Sequence, residues 1–127
     1  MCIGLFTDQV IDHFSKPRNA GVLENADGIG EAGDPECGDA MKLYIKVEGN
    51  VIAEATFKIC GCVAAIASAS VTTVLVKGKT IDEALLITNQ DIASALGGLP
   101  KQKLHCSVLG EEAIRSAVAD FRKKRKG

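Results

Sequence analysis

The chain has 127 residues, enough for one domain that buries roughly two-thirds of the surface its unfolded form exposes, so it needs no metal or disulfide simply to fold. Hydrophobic residues at 46% and charged residues at 24% exclude a disordered tail, and five aromatic rings, none of them tryptophan, are too few for a base-stacking platform on single-stranded nucleic acid. The net charge of −1 hides a basic end on an acidic body: Arg122, Lys123, Lys124, Arg125 and Lys126 carry five positive charges and leave the rest at −6, which argues against general nucleic-acid binding.

In chain order, Met1 to Phe6 offers neither the basic region nor the apolar core of a secretory signal, so a cytoplasmic protein is expected. There an odd number of cysteines points to metal or sulfur chemistry rather than to a disulfide framework. Thr7 is placed to cap a short helix whose apolar face is Val10, Ile11 and Phe14, and Pro17 stops it. His13 on that helix reads as structural. Arg18 to Gly38, rich in Gly, Asn and Asp, reads as a long loop with room for a short strand.

Met41, Leu43, Ile45 and Val47 alternate with Lys42, Tyr44 and Lys46, the period of a strand with one buried face. Glu48-Gly49-Asn50 turns the chain, and Ala53, Ala55, Phe57 and Ile59 alternate with Glu54, Thr56 and Lys58 to form an antiparallel partner. Cys60 completes this hairpin's alternation and reads as packed, with a role beside Cys62 as the alternative. Ile59 to Val76 carries no charge but falls short of the ~20 apolar residues a membrane span needs, so Val63 to Val76 reads as a buried helix.

Thr80 and Glu83 have the spacing of a capping box that opens a helix reaching about Ile87. Asp91 to Leu96 forms a further turn or two before Gly97-Gly98-Leu99-Pro100 breaks the chain. The last helix begins near Cys106, carries Ile114, Ala117, Val118 and Phe121 on one stripe, and ends in the basic tail. That tail reads as a solvated helix end complementing the C-terminal dipole, with a handle for an acidic partner as the alternative. Strands early and helices late, without repeats, predict a single α+β domain over residues 1–127, a small antiparallel sheet with helices packed on one face.

Gly28-Ile29-Gly30-Glu31-Ala32-Gly33 matches the dinucleotide-binding pattern G-x-G-x-x-G, but Asp34-Pro35 follows where a helix should open, and Glu31, Asp34 and Glu36 would repel a pyrophosphate. Its glycines are expected to let the loop bend around Cys37. Cys37, Cys62 and Cys106 stand far apart in sequence, each in a setting suited to a soft metal, with Asp39 and His105 close to two of them. Cys106 falls at a helix N-terminus, where exposed amides and the dipole favour a thiolate.

Asp12-His13-Phe14, Pro17-Arg18-Asn19, Cys37-Gly38-Asp39-Ala40-Met41-Lys42-Leu43, Phe57-Lys58, Gly61-Cys62 with Ala65-Ile66-Ala67-Ser68, and Lys103-Leu104-His105-Cys106-Ser107 together resemble the IscU and NifU N-terminal type of iron-sulfur cluster assembly scaffold, from about Val10 to Lys124. The resemblance implies a carrier rather than an enzyme, with a metal site at one end of the fold. Such a carrier receives iron (Fe2+), takes persulfide sulfur from a cysteine desulfurase of the IscS/NifS type, builds a [2Fe-2S] cluster and passes it to apo-proteins. Cys37, Cys62 and Cys106 then match the thiolate ligands, Asp39 the carboxylate that tunes release, and His105 an alternative or fourth ligand. Cys106 is the expected persulfide acceptor and Cys37 the runner-up.

Zn2+ suits the same donors, and a zinc-binding persulfide relay that builds no clusters is the rival reading. Two copies sharing a cluster as a homodimer are compatible with an exposed site. Three positions depart from the family. Cys60 stands where an aromatic is usual, and Phe6 where many members carry tyrosine. Leu99-Pro100-Lys101-Gln102-Lys103 differs from the Leu-Pro-Pro-Val-Lys segment read by an Hsp70-type chaperone.

Overall fold

In a computed structural model, which describes residues 7–34, 39–61, 63–99 and 105–126, the hairpin read from alternation becomes the middle and one side of a three-stranded antiparallel sheet. Its strands are β1 (Gly28–Asp34), β2 (Asp39–Glu48) and β3 (Val51–Cys60), in that spatial order. Gly49 (φ 57°) and Asn50 (φ 69°) are both left-handed, the geometry of the two-residue hairpin turn whose twist matches that of the strands. The five helices are α1 (Asp8–Ser15), α2 (Val63–Val76), α3 (Ile81–Leu85), α4 (Asn89–Ala95) and α5 (His105–Lys126).

One sheet face carries the core as the alternation of β2 predicts. Met41, Leu43 and Ile45 are at most 2% exposed and meet Ala69 and Val76 of α2 and Leu109, Ala113, Ile114, Ala117 and Val118 of α5. Burying a side chain the size of Leu43 or Ile45 contributes roughly 1.5–3 kcal/mol. On β3 the expected alternation fails at its first member. Lys46 pairs with Glu54 and Val47 with Ile52, so Ala53 is an extra residue in a bulge, and Ile52 (1% exposed) takes the inward position expected of Ala53. Tyr44, on the face that alternation assigns to solvent, is also buried.

The glycine-rich segment is β1, and its first two glycines serve close approach rather than bending. A Cβ on Gly28 would lie 2.4 Å from the Ala117 carbonyl oxygen, and one on Gly30 would lie 2.2 Å from that of Ala113. Only bare backbone lets α5 settle so near the strand. Gly33 (φ 85°) alone needs the left-handed region. Helix α5 also covers the outer edge of β1: Ile29 N–H donates to Asp120 Oδ2 at 2.8 Å and Glu31 N–H to Ser116 Oγ at 3.1 Å. Two backbone donors that would otherwise template a further strand are thereby occupied.

The bond to Ile29 N–H, and after it Lys124, holds the Asp120 carboxyl below its usual 3.8. A depressed folded-state pKa contributes stability above the unfolded value and loses it as pH falls through the folded one. Asp120→Ala is therefore expected to cost about 1 kcal/mol at neutral pH. The gap to wild type should close below the carboxylate range, as denaturant titrations at pH 7 and pH 3 would read.

Helix α2 is buried nearly all round, with α1 against one side and β3 and α5 against others. Its interior hydroxyls find local acceptors, Thr72 donating to Ser68 O and Thr73 to Ser70 O, both at 2.6 Å. Thr80 and Glu83 form the expected capping box, although α3 ends at Leu85 rather than Ile87. A second box, Thr88 with Asp91, starts α4 two residues earlier than expected, because aspartate at the third helical position serves as glutamate does. Among the described residues no helix is long and apolar enough to cross a membrane. In the basic tail Arg122 pairs with Asp82 at 3.4 Å and Lys124 with Asp120 at 2.9 Å.

Candidate functional site at one end of the sheet

The pairings Asp34 with Asp39 and Ala40 with Cys60 bring the β1–β2 connection and the end of β3 to the same end of the sheet. Helix α2 starts at Val63, three residues after β3 stops. The first turn of α5 lies on the first turn of α2, where Cys106 packs with Ala64 and Ala65 beside Ile59 and Leu99. Three chain segments separated by up to about seventy positions thus converge, because strand register and helix packing, not sequence proximity, bring them together.

Cys106 is 0% exposed. It occupies the second position of the 22-residue α5, where orphan amides and the positive dipole end favour negative charge. Cys37 and Cys62, and the side chains of Asp39 and His105, lie outside the described residues. The same holds for Phe6 and for Pro100 to Lys103 of the chaperone-type segment. Among the described residues there is no group of three or more His, Cys, Asp or Glu placed to hold a metal.

Cys60 departs from its expected packing. Directly opposite Ala40, on the sheet face away from the helices, it is exposed. The buried face of β3 is that of Ala55 and Phe57, and position 60 is out of phase with them. Beside it a groove of about 500 Å³ opens between Glu31, Lys42, Tyr44 and Lys58. Neither the lysine pairing nor the burial of Tyr44 has a signal in local sequence; register alone brings Lys42 opposite Lys58.

His13 has the structural role expected of it. Its Nδ1 lies 2.8 Å from Ser70 Oγ, which also accepts the Arg18 N–H at 2.9 Å. Burial, and then the Arg18 charge, push its pKa below 6.5, so the ring is neutral at physiological pH. Arg18 in turn pairs with Asp12, whose carboxyl it holds below 3.8. The Asp-His-Phe and Pro-Arg-Asn motifs thus lash α1 and the residues after it to α2.

A three-stranded antiparallel sheet backed by α2 and α5 is a fold shared with solved structures. A crystal structure described as an iron-sulfur cluster assembly scaffold for the SUF system, from Fervidobacterium islandicum AW-1, superposes with a TM-score of 0.73 at 21% identity, covering 93% of this chain and 99% of that one. The N-terminal part of a NifU-like protein from Brucella abortus gives 0.64 at 16% identity, covering 96% and 95%.

The chain belongs to the NifU-like N-terminal domain family, whose model matches residues 5–127. It is 53% identical over 120 residues to iron-sulfur cluster assembly scaffold protein IscU 1 of Archaeoglobus fulgidus, covering 94% of this chain and 78% of the relative. To scaffold protein IscU of Escherichia coli K12 it is 51% identical over 124 residues, covering 94% and 96%.

Proposed function

We propose that the chain is a non-enzymatic scaffold of the cytoplasm on which a [2Fe-2S] cluster is assembled and from which it is passed to apo-proteins. The observation that carries this reading is the 53% identity, spread over 94% of the chain, to a scaffold protein. Cys37, Cys62 and Cys106 hold the iron as thiolates, and His105 supplies the remaining position. The cluster is cargo, so the site must bind it firmly enough to build it and loosely enough to release it.

Asp39 provides that looseness. A hard carboxylate oxygen beside soft thiolates makes a weaker, exchangeable bond to iron. Sulfur arrives as persulfide from a cysteine desulfurase, and Cys106 is its acceptor among the ligands, at the helix end that stabilises the attacking thiolate. Two copies facing one another through this end can share one cluster.

Anaerobic reconstitution with ferrous iron, cysteine and a desulfurase tests the reading. Iron and acid-labile sulfide in equal amounts, with iron-sulfur absorption that moves to an added apo-ferredoxin, are expected. Persulfide on the protein with zinc retained and no iron-sulfur absorption would instead establish a zinc-binding sulfur relay. In the same assay Asp39→Ala is expected to slow cluster loss to a chelator by about tenfold, the scale of a single tuning interaction at a metal. Loss at the wild-type rate or faster would remove Asp39 from that role.

A further inference from the structure

The groove beside Cys60 is built from three strands. Register places Glu31 opposite Lys42 and Lys42 opposite Lys58 on the face away from the helices, with Cys60 two residues beyond Lys58 on that face. Like charges directly opposed across strands are unfavourable, and here only one is offset. Lys42 lies 3.3 Å from Glu31, while Lys58 has no acidic partner among the described residues.

Tyr44 supplies an independent observation. Only 6% exposed, it lines the groove and has no hydrogen-bond partner among the described residues. Its hydroxyl is not among the sealed, unmatched polar atoms, and Tyr44 forms part of the groove's lining. Directly opposite, the Thr56 hydroxyl is sealed and unmatched. A largely buried phenol in the wall of a cavity where the Lys58 ammonium stands uncompensated beside the Lys42–Glu31 pair suits an anion, and that charge disfavours a metal cation at Cys60.

From this geometry, and resting on the scaffold reading, we infer that the groove is a sulfur-entry site: Cys60 takes sulfane sulfur from an anionic persulfide held by Lys42, Lys58 and Tyr44. Cys60 is exposed where Cys106 is 0% exposed, so a donor meets Cys60 more readily than Cys106. The proton of Cys60 passes to the terminal sulfur of the donor R–S–S⁻, the Cys60 thiolate attacks that now neutral sulfur, and a new S–S bond forms as the donor's S–S bond breaks. The electron pair leaves on the donor thiolate, which takes up that proton from the transferred sulfur and departs as R–SH. Cys60 is left as the persulfide anion, and no oxidant or reductant is consumed.

The full-length protein, incubated anaerobically with glutathione persulfide, quenched by alkylation and mapped by peptide mass spectrometry, tests this. Cys60 is expected to load about tenfold faster than Cys106, the scale on which access and electrostatic focusing alter encounter rates. Lys58→Glu and Tyr44→Phe, at unchanged thermal midpoint, should each slow loading at Cys60 several-fold. Loading at Cys106 with none at Cys60 would overturn the inference. So would loading at Cys60 indifferent to both variants, which would make it a merely exposed thiol. Reconstitution from iron and inorganic sulfide, which bypasses sulfur transfer, separates this from the scaffold reading. Cys60→Ser should build clusters normally by that route, whereas a wild-type protein that loads Cys60 yet never builds a cluster would sink the scaffold reading and leave the groove standing.

Discussion

Gly30→Ala is expected to lower stability by at least about 3 kcal/mol, the upper end of what overpacking costs, a fall of roughly 10 °C in thermal midpoint for a chain of this size. The added Cβ would meet the Ala113 carbonyl oxygen at 2.2 Å, the Ala117 nitrogen at 2.4 Å and the Ala117 Cα at 2.9 Å. All three are backbone atoms, so no side-chain rotation relieves the clash. Helix α5 must move off β1 as a body, and the bonds from Ile29 and Glu31 to Asp120 and Ser116 lengthen with it.

Gly110→Ala provides the comparison. Its Cβ would meet Thr72 Oγ1 at 2.3 Å and Ile92 Cδ1 at 2.7 Å, both side-chain atoms. Rotating Thr72 there gives up its bond to Ser68 O but leaves the backbone in place, which should hold the loss to about 2 kcal/mol. Chemical denaturation of the two variants side by side gives the measurement. A Gly30→Ala loss no larger than that of Gly110→Ala would mean that the helix is not pinned to the strand by the two glycines.

The second large effect concerns cargo. Reconstituted with iron and inorganic sulfide, Cys37→Ala, Cys62→Ala and Cys106→Ala are each expected to retain at least about tenfold less cluster than wild type, since even changes beyond the ligand shell cost that much in metal affinity. Alanine is preferable to serine at position 106, where the residue is 0% exposed and packs on Ala64 and Ala65. A hydroxyl is costlier to desolvate there than a thiol. Iron and sulfide analysis after gel filtration reads the result, with circular dichroism to show that each variant is folded. Full cluster content in any one of the three would remove that cysteine from the ligand set.

The amino-acid sequence by itself determined the elements and the inventory of chemistry. Alternation in 41–47 specified the hairpin, the uncharged run over 63–76 specified a buried helix, and Thr80 with Glu83 specified a cap, because each rests on neighbours within a few residues. The shared motifs around Cys37, Cys62 and Cys106 pointed to the family for the same reason, as short unbroken strings. Only the tertiary structure decided what depends on two distant segments meeting. It turned Gly28 and Gly30 from loop residues into the contact surface for α5. It exchanged Ile52 for Ala53 at the core through a bulge, buried Tyr44 on the nominal solvent face, and set Lys42 against Lys58 beside an exposed Cys60. Periodicity records which side of its own element a residue occupies; what covers that side is set by register and by the approach of a helix some eighty residues away, and no local pattern encodes either.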